Sequence, residues 1–347
     1  MTIRKIQEGV FLNKKVLVRA DFNVAIKDGK VQERFKLEAC KKSVDHLCRQ
    51  EGAKVALMSH LGRPEGKADP NLSLSQFQSE LESILGKKIL FVSDCVGEEV
   101  AAALEKLQPC EILLLENVRF HEEDEKKDPE FAKMLAQNFD VFVNDAFSVC
   151  HRDQASVTGV AKIIPGYAGL WLQDEIMNLN RVLHEPQQPA TAIIGGAKIE
   201  TKLPLINVFE KTYSHILVGG KIANEAMDQH LEFSSKVIVP MDFATDRLDI
   251  GPKTIARFKD IIARSKVIVW NGPMGKFEQQ PYDQGTREIL DALIESDAFT
   301  LIGGGESVQV LEENGLMDKI SFVSTGGGAM LEYLSGAHMP GIESLRW

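Results

Sequence analysis

Cysteine pairs, membrane-length apolar runs and excess positive charge are all missing from this 347-residue sequence. No apolar run approaches about 18 residues, and the N-terminal segment has no apolar core, so we expect neither a membrane span nor a signal peptide. The net charge of −10 argues against a general nucleic-acid or membrane-surface binder. Five cysteines without a C-x-x-C motif form an odd, unpaired set, which predicts a reducing cytoplasm.

Two common nucleotide-binding motifs are missing as well. The sequence contains neither G-x-x-x-x-G-K-[ST] nor G-x-G-x-x-G, which argues against P-loop and dinucleotide-binding proteins. Cys150 beside His151 suggests a nucleophile, but no third orienting group is apparent, so we expect a buried, inert thiol. The charged run 121–130 is predicted to be a solvated surface loop without a role.

Apolar strand-like runs alternate with amphipathic helical stretches along the whole chain, which predicts an α/β fold. The chain is longer than one core usually holds, so we expect two doubly wound, mostly parallel-sheet, Rossmann-like domains joined by a hinge helix. Residues 37–50, followed by Gly52, are predicted to be a crossover helix. The predicted strands are 15–19, 54–59, 88–92, 111–116 and 141–144 in the first half and 191–194, 215–218, 266–270, 299–302 and 320–324 in the second.

The join between the domains is predicted near Pro165 and Gly166, before the stretch 185–189 with its two prolines. The first domain then covers residues 1–168, and the tail 331–347 is expected to return to it. The second domain covers residues 169–330 and includes the hinge helix, residues 170–184.

The two halves differ in the residues that come directly after their strands. Most first-half strands run into polar and cationic residues, whereas the second-half strands run into glycines. In open parallel sheets, ligands bind outside the carboxyl ends of the strands. The glycine loops suit a nucleotide, and the arginines suit a carboxylate or a phosphate.

Residues 191–202, TAIIGGAKIETK, predict a strand, a tight turn and a helix that direct backbone N–H groups at a phosphate. Lys198 and Lys202 are four residues apart, so they are predicted to share one helix face. Their repulsion is relieved if an anion lies between the two ammonium groups. Two solvated surface lysines are an equally good interpretation of this segment alone.

Nine blocks in family order, covering nearly the whole chain, resemble phosphoglycerate kinase. They are RADFN (19–23), SHLGRP (59–64), LENVRF (115–120), NDAF (144–147) followed by HR (151–152), GGAK (195–198), LDIGPKT (248–254), WNGPMG (270–275), IGGG (302–305) and STGGGA (324–329). The resemblance implies a two-lobed, hinge-bending, monomeric and cytoplasmic kinase of glycolysis. It would transfer a phosphoryl group between 1,3-bisphosphoglycerate and ADP, giving 3-phosphoglycerate and ATP, with Mg²⁺.

This chemistry agrees with the residues, because a carboxylate acceptor is already ionised at neutral pH and needs no general base. The reaction needs positioning and stabilisation of charge on the transferred group.

The resemblance also implies roles for individual residues. Arg34, Lys198, Gly326 and Gly327 would be catalytic, with Arg34 stabilising transition-state charge. The substrate would contact Asp21, Asn23, Arg34, His60, Arg63, Arg119 and Arg152. The nucleotide would contact Gly195, Ala197, Lys198, Lys202, Gly219, Gly220, Leu248, Asn271, Glu278, Gly304, Gly305, Glu306 and Ser307. Amides of Gly326, Gly327 and Gly328 would help to hold the transferred group.

Several positions depart from the family pattern. Glu306 stands where the family has the aspartate expected to bind Mg²⁺, which makes Glu306 the candidate metal ligand. Lys221 replaces a glycine, Lys276 replaces a small apolar residue near the base, and residues 148–150 replace Gly-Thr-Ala. The stretch 228–247 is shorter than in the family.

Two alternatives remain open at this point. A catalytically impaired descendant could act as an anion- or nucleotide-binding module, and a third possibility is a kinase for another small carboxylate. No nucleic-acid or membrane partner is expected.

Overall fold

The computed structural model describes residues 2–27 and 30–347, and its two large sheets each have six parallel strands. The chain divides into two compact units. Unit 1 covers the chain up to Ile176 and again His338–Trp347, and unit 2 is Met177–Ala337. The sequence predicts the domain boundaries between residues 168 and 169 and between residues 330 and 331.

In unit 1 the sheet order is β5-β6-β4-β1-β7-β8, and β2 and β3 form a separate antiparallel pair. The strands are β1 (Lys15–Arg19), β2 (Ile26–Lys27), β3 (Lys30–Val31), β4 (Lys54–Met58), β5 (Ile89–Phe91), β6 (Ile112–Leu114), β7 (Val141–Asn144) and β8 (Gly166–Ala168). Strands β1, β4 and β7 are nearly all buried because helices cover both faces, which is why they are continuous apolar runs.

The helices of unit 1 are α1 (Arg34–Ala39), α2 (Lys41–Cys48), α3 (Gln78–Leu85), α4 (Glu98–Lys106) and α5 (Pro129–Ala136). Short 3₁₀ turns lie at Ile6–Glu8, Pro70–Leu72, Leu74–Phe77, Val118–Phe120, Phe147–Val149 and Val160–Lys162, and a π-helical turn lies at Ala155–Gly159. The prediction of one crossover helix at 37–50 is wrong in its bounds, because two helices meet at Cys40.

Helix α6 (Leu170–Leu183) matches the predicted helix, and the division between the units falls within it. Gly166, predicted to lie in the join, begins the edge strand β8 of unit 1.

In unit 2 the sheet order is β11-β10-β9-β12-β13-β14. The strands are β9 (Ala190–Ile194), β10 (His215–Val218), β11 (Val237–Ile238), β12 (Val267–Asn271), β13 (Phe299–Gly303) and β14 (Phe322–Ser324). The helices are α7 (Leu203–Thr212), α8 (Gly220–Asp228), α9 (Pro252–Arg264), α10 (Gln284–Glu295), α11 (Gly305–Glu313) and α12 (Gly328–Leu334), with 3₁₀ turns at Ile199–Thr201, Thr245–Arg247 and Met317–Lys319. A last helix, α13 (Pro340–Glu343), belongs to unit 1.

The predicted fold class, two doubly wound parallel-sheet α/β units, is confirmed. In each sheet the first long strand lies near the centre. In unit 1, β1 lies between β4 and β7, so the loops after these three strands are adjacent. In unit 2, β9 lies between β10 and β12, and the loops after these three strands are adjacent as well. In the described part of the chain, no helix has the length and apolarity that crossing a membrane requires.

All five cysteines are free thiols. Cys150 is buried, and its Sγ lies 3.4 Å from the carbonyl oxygen of Ala146. Burial raises the pKa of this thiol to about 12. The predicted inert, buried thiol is therefore confirmed.

Candidate active site

Unit 1 carries three guanidinium groups at the carboxyl ends of its strands, those of Arg19, Arg119 and Arg152, and this cation cluster also includes the imidazole of His60 as an uncharged member. Arg19, the last residue of β1, is fully buried and donates to the carbonyl oxygen of Ala20 at 2.6 Å. Its Nη2 also donates to Nδ1 of His60 at 3.1 Å. Because β1 pairs with β4, the residues that come after these two strands are brought together.

His60 is neutral in this environment. Burial lowers the pKa of its imidazole well below the usual value, and the nearby charges of Arg19, Arg119 and Arg152 lower it further. An arginine can only donate, so Nδ1 of His60 must accept and Nε2 must carry the proton. His60 therefore offers a hydrogen-bond donor without adding charge.

Arg119 is 4% exposed, and its Nη1 donates to the carbonyl oxygen of Gly62 at 2.8 Å. Its Nη2 is buried without a hydrogen-bond partner among the described residues. Burial lowers the pKa of this guanidinium to about 10, although Glu125 opposes the shift. A buried donor without a partner costs about 1–3 kcal/mol, which an anionic ligand would recover.

Residues 121–130, predicted to be a solvated surface loop without a role, are mostly exposed, but Asp124 among them is not. Asp124 is fully buried, accepts from the backbone N–H of Ser156 at 2.8 Å and interacts electrostatically with Arg19. Burial raises the pKa of Asp124, and Arg19 opposes this. Oε1 of Glu125 lies 3.4 Å from Nε of Arg119 and 3.8 Å from Nη1 of Arg152. The segment thus supplies the counter-charges of the cation cluster.

Two further predicted substrate residues lie beside Gly62. Asp21 accepts from the backbone N–H of Asn23 at 3.0 Å, and Oδ1 of Asn23 accepts from the N–H of Gly62 at 2.9 Å. These bonds join the loops after β1 and β4. Arg63, next in sequence, is exposed and makes no side-chain hydrogen bond or ion pair within residues 2–27 and 30–347.

Arg34 begins α1 and is half exposed. Its Nε donates to Glu38 at 2.9 Å, and Nη1 pairs with Glu80. These carboxylates raise the pKa of Arg34, chiefly because Glu38 accepts a hydrogen bond from it. Its guanidinium is therefore held in two ion pairs within unit 1, which use two of its five N–H donors.

Unit 2 presents glycine loops at the carboxyl ends of its strands. The backbones after β9 and β12 are so close that a Cβ on Gly195 would lie 2.1 Å from the carbonyl oxygen of Pro273. A Cβ on Gly272, at φ +90°, would lie 2.4 Å from the carbonyl oxygen of Gly195. The N–H of Gly196 donates to Pro273 at 2.9 Å. Only glycine permits this approach.

The prediction that Lys198 and Lys202 share a helix face is wrong. Lys198 has a left-handed backbone, φ +70°, and precedes the 3₁₀ turn Ile199–Thr201, whereas Lys202 lies just before α7. Lys198 is exposed, and its side chain makes no hydrogen bond or ion pair with the described residues. Both lysines nevertheless line one cavity.

This cavity is the larger of two neighbouring cavities in unit 2, and its volume is about 410 Å³. It is lined by Gly195, Gly196, Ala197, Lys198, Thr201, Lys202, Asn271, Gly272, Gly304, Gly305, Glu306, Ser307, Gly327, Gly328 and Leu331. Backbone N–H groups, two ammonium groups and the first turn of α11 therefore surround a space of the size that a polyphosphate needs.

A smaller cavity of about 240 Å³ adjoins it, since Gly196, Ala197 and Glu306 line both. Its other lining residues are Lys221, Asn224, Arg247, Leu248, Pro273, Gly275, Lys276 and Glu278. The predicted nucleoside residues Leu248 and Glu278 are thus separated from the predicted phosphate residues, as a nucleotide requires.

Three predicted residues line neither cavity: Gly219, Gly220 and Gly326. A Cβ on Gly219 would lie 2.6 Å from the sulfur of Met274, and a Cβ on Gly220 would lie 2.8 Å from the N of Gly196. These two glycines allow the loop after β10 to pack behind the cavity wall.

Lys202 is 8% exposed, and its ammonium donates to Oδ1 of Asn271. Burial lowers its pKa to about 8, and the carboxylate of Glu306 opposes this shift only in part. Nδ2 of Asn271 donates to the carbonyl oxygen of Gly303 at 2.6 Å, which fixes the orientation of the amide. Lys202 is thus a positioned cation whose charge is costly until an anion binds.

The lowered pKa of Lys202 therefore predicts that the affinity for ADP falls as pH rises. The ammonium form binds phosphate, so affinity should be highest below the pKa of about 8 and should fall by up to about tenfold per pH unit above it. Titration calorimetry between about pH 7 and pH 9.5 measures the trend, and proton uptake near pH 8 appears as a buffer-dependent heat. Lys202→Arg stays charged and should bind ADP independently of pH over this range. A pH-independent wild type, or a decline that persists in Lys202→Arg, contradicts the prediction.

Glu306 is the one carboxylate among the described lining residues of the larger cavity. Desolvation raises its pKa, as does the neighbouring Glu278, while Lys202 lowers it. A carboxylate whose ionisation a neighbouring carboxylate disfavours is better accommodated with a cation beside it. Mg²⁺ usually takes one or two carboxylates together with substrate phosphates and water, so this donor set fits the ion.

Arg19, Asp124 and Glu125 were given no role by the sequence analysis. Arg19 carried one usable signal, a cation at the last position of a strand that is otherwise apolar. Nothing in the sequence marks Asp124, because its partner Arg19 comes from a distant strand.

Doubly wound parallel sheets, a buried arginine with an unused donor and a glycine-lined cavity with two lysines are typical of a protein that binds phosphorylated ligands. Comparison with known proteins identifies the family. The family model described as "Phosphoglycerate kinase" matches residues 6–232 and 232–337. The phosphoglycerate kinases of Moorella thermoacetica and Finegoldia magna are 40% and 38% identical, each with 96% of both chains covered. That of Borreliella burgdorferi is 34% identical, with 99% of this chain and 100% of the relative covered.

Solved structures give the same result. Phosphoglycerate kinase from Coxiella burnetii has a TM-score of 0.83 at 31% identity, with 99% of both chains covered. The enzyme from Pyrococcus horikoshii has a TM-score of 0.88 at 28% identity, covering 99% of this chain and 98% of that one.

The chain belongs to the phosphoglycerate kinase family. Its reaction is the glycolytic one, reversible phosphoryl transfer between 1,3-bisphosphoglycerate and ADP. The catalytically impaired alternative is not favoured.

Proposed function

We propose that 3-phosphoglycerate binds to the cation cluster of unit 1 and that the nucleotide binds to the two cavities of unit 2. The unused Nη2 of buried Arg119 is the observation that carries the first assignment, because it needs an acceptor that the described protein residues do not supply. Arg152 and Arg63 supply further positive charge, and His60 supplies a neutral donor. Asp21 and Asn23 orient the hydroxyl side of the substrate.

In unit 2, Lys198 and Lys202 hold the phosphates, with N–H groups of the loops that contain Gly195, Gly304 and Gly327. Glu306 and the nucleotide phosphates hold Mg²⁺, which neutralises phosphate charge when bound. Asn271 positions Lys202, and Ser307 fixes the turn after β12 by accepting from the N–H of Gly272 at 2.9 Å.

The transfer itself needs no general base, since the acceptor carboxylate is ionised at neutral pH. Charge that spreads over the transferred phosphoryl oxygens is stabilised by Lys198, by Arg34 and by the N–H group of Gly327, whereas the N–H of Gly326 donates to Oγ of Ser324 at 3.0 Å. Because the substrates bind to different units, we propose that α6 acts as a hinge. The protein is proposed to act as a monomer in the cytoplasm.

A coupled assay of ATP consumption tests the substrate assignment. With Mg²⁺ we expect turnover with 3-phosphoglycerate, and kcat/KM at least about 100-fold lower with glycerate or acetate, because these acceptors lack the phosphate that the arginines bind. Removal of Mg²⁺ with a chelator should abolish turnover. Equal kcat/KM for acetate would contradict the proposal and would favour a kinase for other small carboxylates.

A further inference from the structure

The smaller cavity of unit 2 is lined by several basic side chains, although a nucleoside carries no negative charge that would require them. Lys221, Arg247 and Lys276 line it, and the only carboxylates among its described lining residues are Glu278 and Glu306. If the polyphosphate occupies the larger cavity, as proposed above, the base and ribose lie in this smaller one. The basic side chains of the smaller cavity then face the edge of the base.

Arg247 is already committed to the protein. Its Nε donates to Oδ1 of Asn224 at 3.2 Å, its Nη1 pairs with Asp228 at 2.9 Å, and its Nη2 donates to the carbonyl oxygen of Asn224 at 3.4 Å. Nδ2 of Asn224 donates back to the carbonyl oxygen of Arg247 at 2.8 Å. Both side chains therefore form the wall and have little capacity left for a ligand.

The two lysines are differently placed. Lys221 lies 3.7 Å from Oε1 of Glu225, a loose and largely exposed pair. The other oxygen of Glu225 accepts from the N–H of Ile199 at 2.7 Å. The ammonium of Lys276 makes no hydrogen bond or ion pair with any described residue, while its backbone N–H donates to Leu248 at 2.8 Å. Lys276 therefore has a fixed backbone and a free donor.

An ammonium group can donate hydrogen bonds but cannot accept them. Guanine and hypoxanthine carry an oxygen at position 6, which accepts, whereas adenine carries an amino group there, which donates. Lysine is a known partner of guanine O6 and N7 for this reason. Adenine in the same orientation would place its amino group against the ammonium, and neither donor would be satisfied.

We propose that Lys276, assisted by Lys221, makes this enzyme prefer 6-oxopurine nucleotides to adenine nucleotides. Glu278 is left to the ribose hydroxyls and does not discriminate. Because Lys276 is exposed, the preference should be moderate, about 5- to 30-fold in affinity.

Titration calorimetry with ADP, GDP and IDP tests this proposal. GDP and IDP should both bind about 5- to 30-fold more tightly than ADP, because IDP has the 6-oxygen without the 2-amino group of guanine. Lys276→Met should remove this ratio and leave ADP affinity within about twofold, whereas Lys276→Arg should keep it. Lys221→Gln should reduce the ratio in part. Lys211→Met, which removes an exposed lysine outside both cavities, should change nothing.

Each other outcome overturns a defined step. Equal affinities for ADP and GDP in the wild type, or tighter binding of GDP but not IDP, contradict recognition at position 6. A ratio that survives in Lys276→Met contradicts the role of this lysine. If pyrophosphate binds as tightly as ADP and GDP, the nucleoside does not use the smaller cavity, although the phosphate assignment stands. If no nucleotide and no pyrophosphate bind, the proposed nucleotide site itself is wrong.

Discussion

Lys198→Gln is expected to lower kcat by about 10²–10³-fold, because it removes a positive charge that we place on the transferred phosphoryl group. The exposed ammonium has no protein partner within the described chain, so its loss should not disturb the fold. Glutamine is one atom shorter than lysine but keeps a polar, unbranched side chain, and it adopts the left-handed backbone of residue 198 at a cost similar to that of lysine. Steady-state and single-turnover rates with saturating ATP and 3-phosphoglycerate measure the effect.

Two further measurements make this result specific. The KM for 3-phosphoglycerate should stay within about twofold, since the substrate binds to unit 1, and the free energy of unfolding should change by less than about 0.5 kcal/mol. Lys211→Gln removes an equally exposed lysine of α7 and should leave kcat unchanged. If Lys198→Gln and Lys211→Gln have the same kcat, Lys198 has no part in catalysis.

The location of arginines in one unit and of glycine loops in the other could be predicted, because both lie at the ends of strands. Strands β1 and β9 are recognisable as apolar runs, and the residues after them are cationic in one half and glycine in the other. Parallel pairing brings such ends to one edge, so local composition was enough to place arginines in one unit and glycine loops in the other.

Other features depend on contacts between distant residues or on single backbone angles. Asp124 is buried because Arg19, far away in sequence, balances its charge, so the charges of residues 121–130 alone could not predict its burial. Lys198 has a positive φ, which no periodicity indicates, and this places it outside the helix that begins directly after Lys202. The two-residue strand β11 is too short to show an alternating pattern.

Arg34→Gln is expected to lower kcat by about 10³-fold, because a planar guanidinium can bind two oxygens of a trigonal phosphoryl group and a neutral amide cannot replace its charge. The variant also loses the ion pairs with Glu38 and Glu80, which are partly exposed and contribute roughly 0.2–1 kcal/mol to stability. A small loss of stability is therefore expected with a very large loss of turnover.

Glu80→Gln separates these two effects, because it removes an ion pair of Arg34 and leaves the guanidinium in place. If Arg34 must leave its acidic partners to reach the phosphoryl group, Glu80→Gln should keep kcat or raise it, while losing a similar part of the stability. If Arg34 instead only holds α1 through its ion pairs, each variant should lose a small part of its activity, in proportion to the stability that it loses. A low kcat in Arg34→Gln combined with a normal or raised kcat in Glu80→Gln thus identifies an arginine that acts on the substrate, because lost ion pairs alone would lower kcat only in proportion to the lost stability.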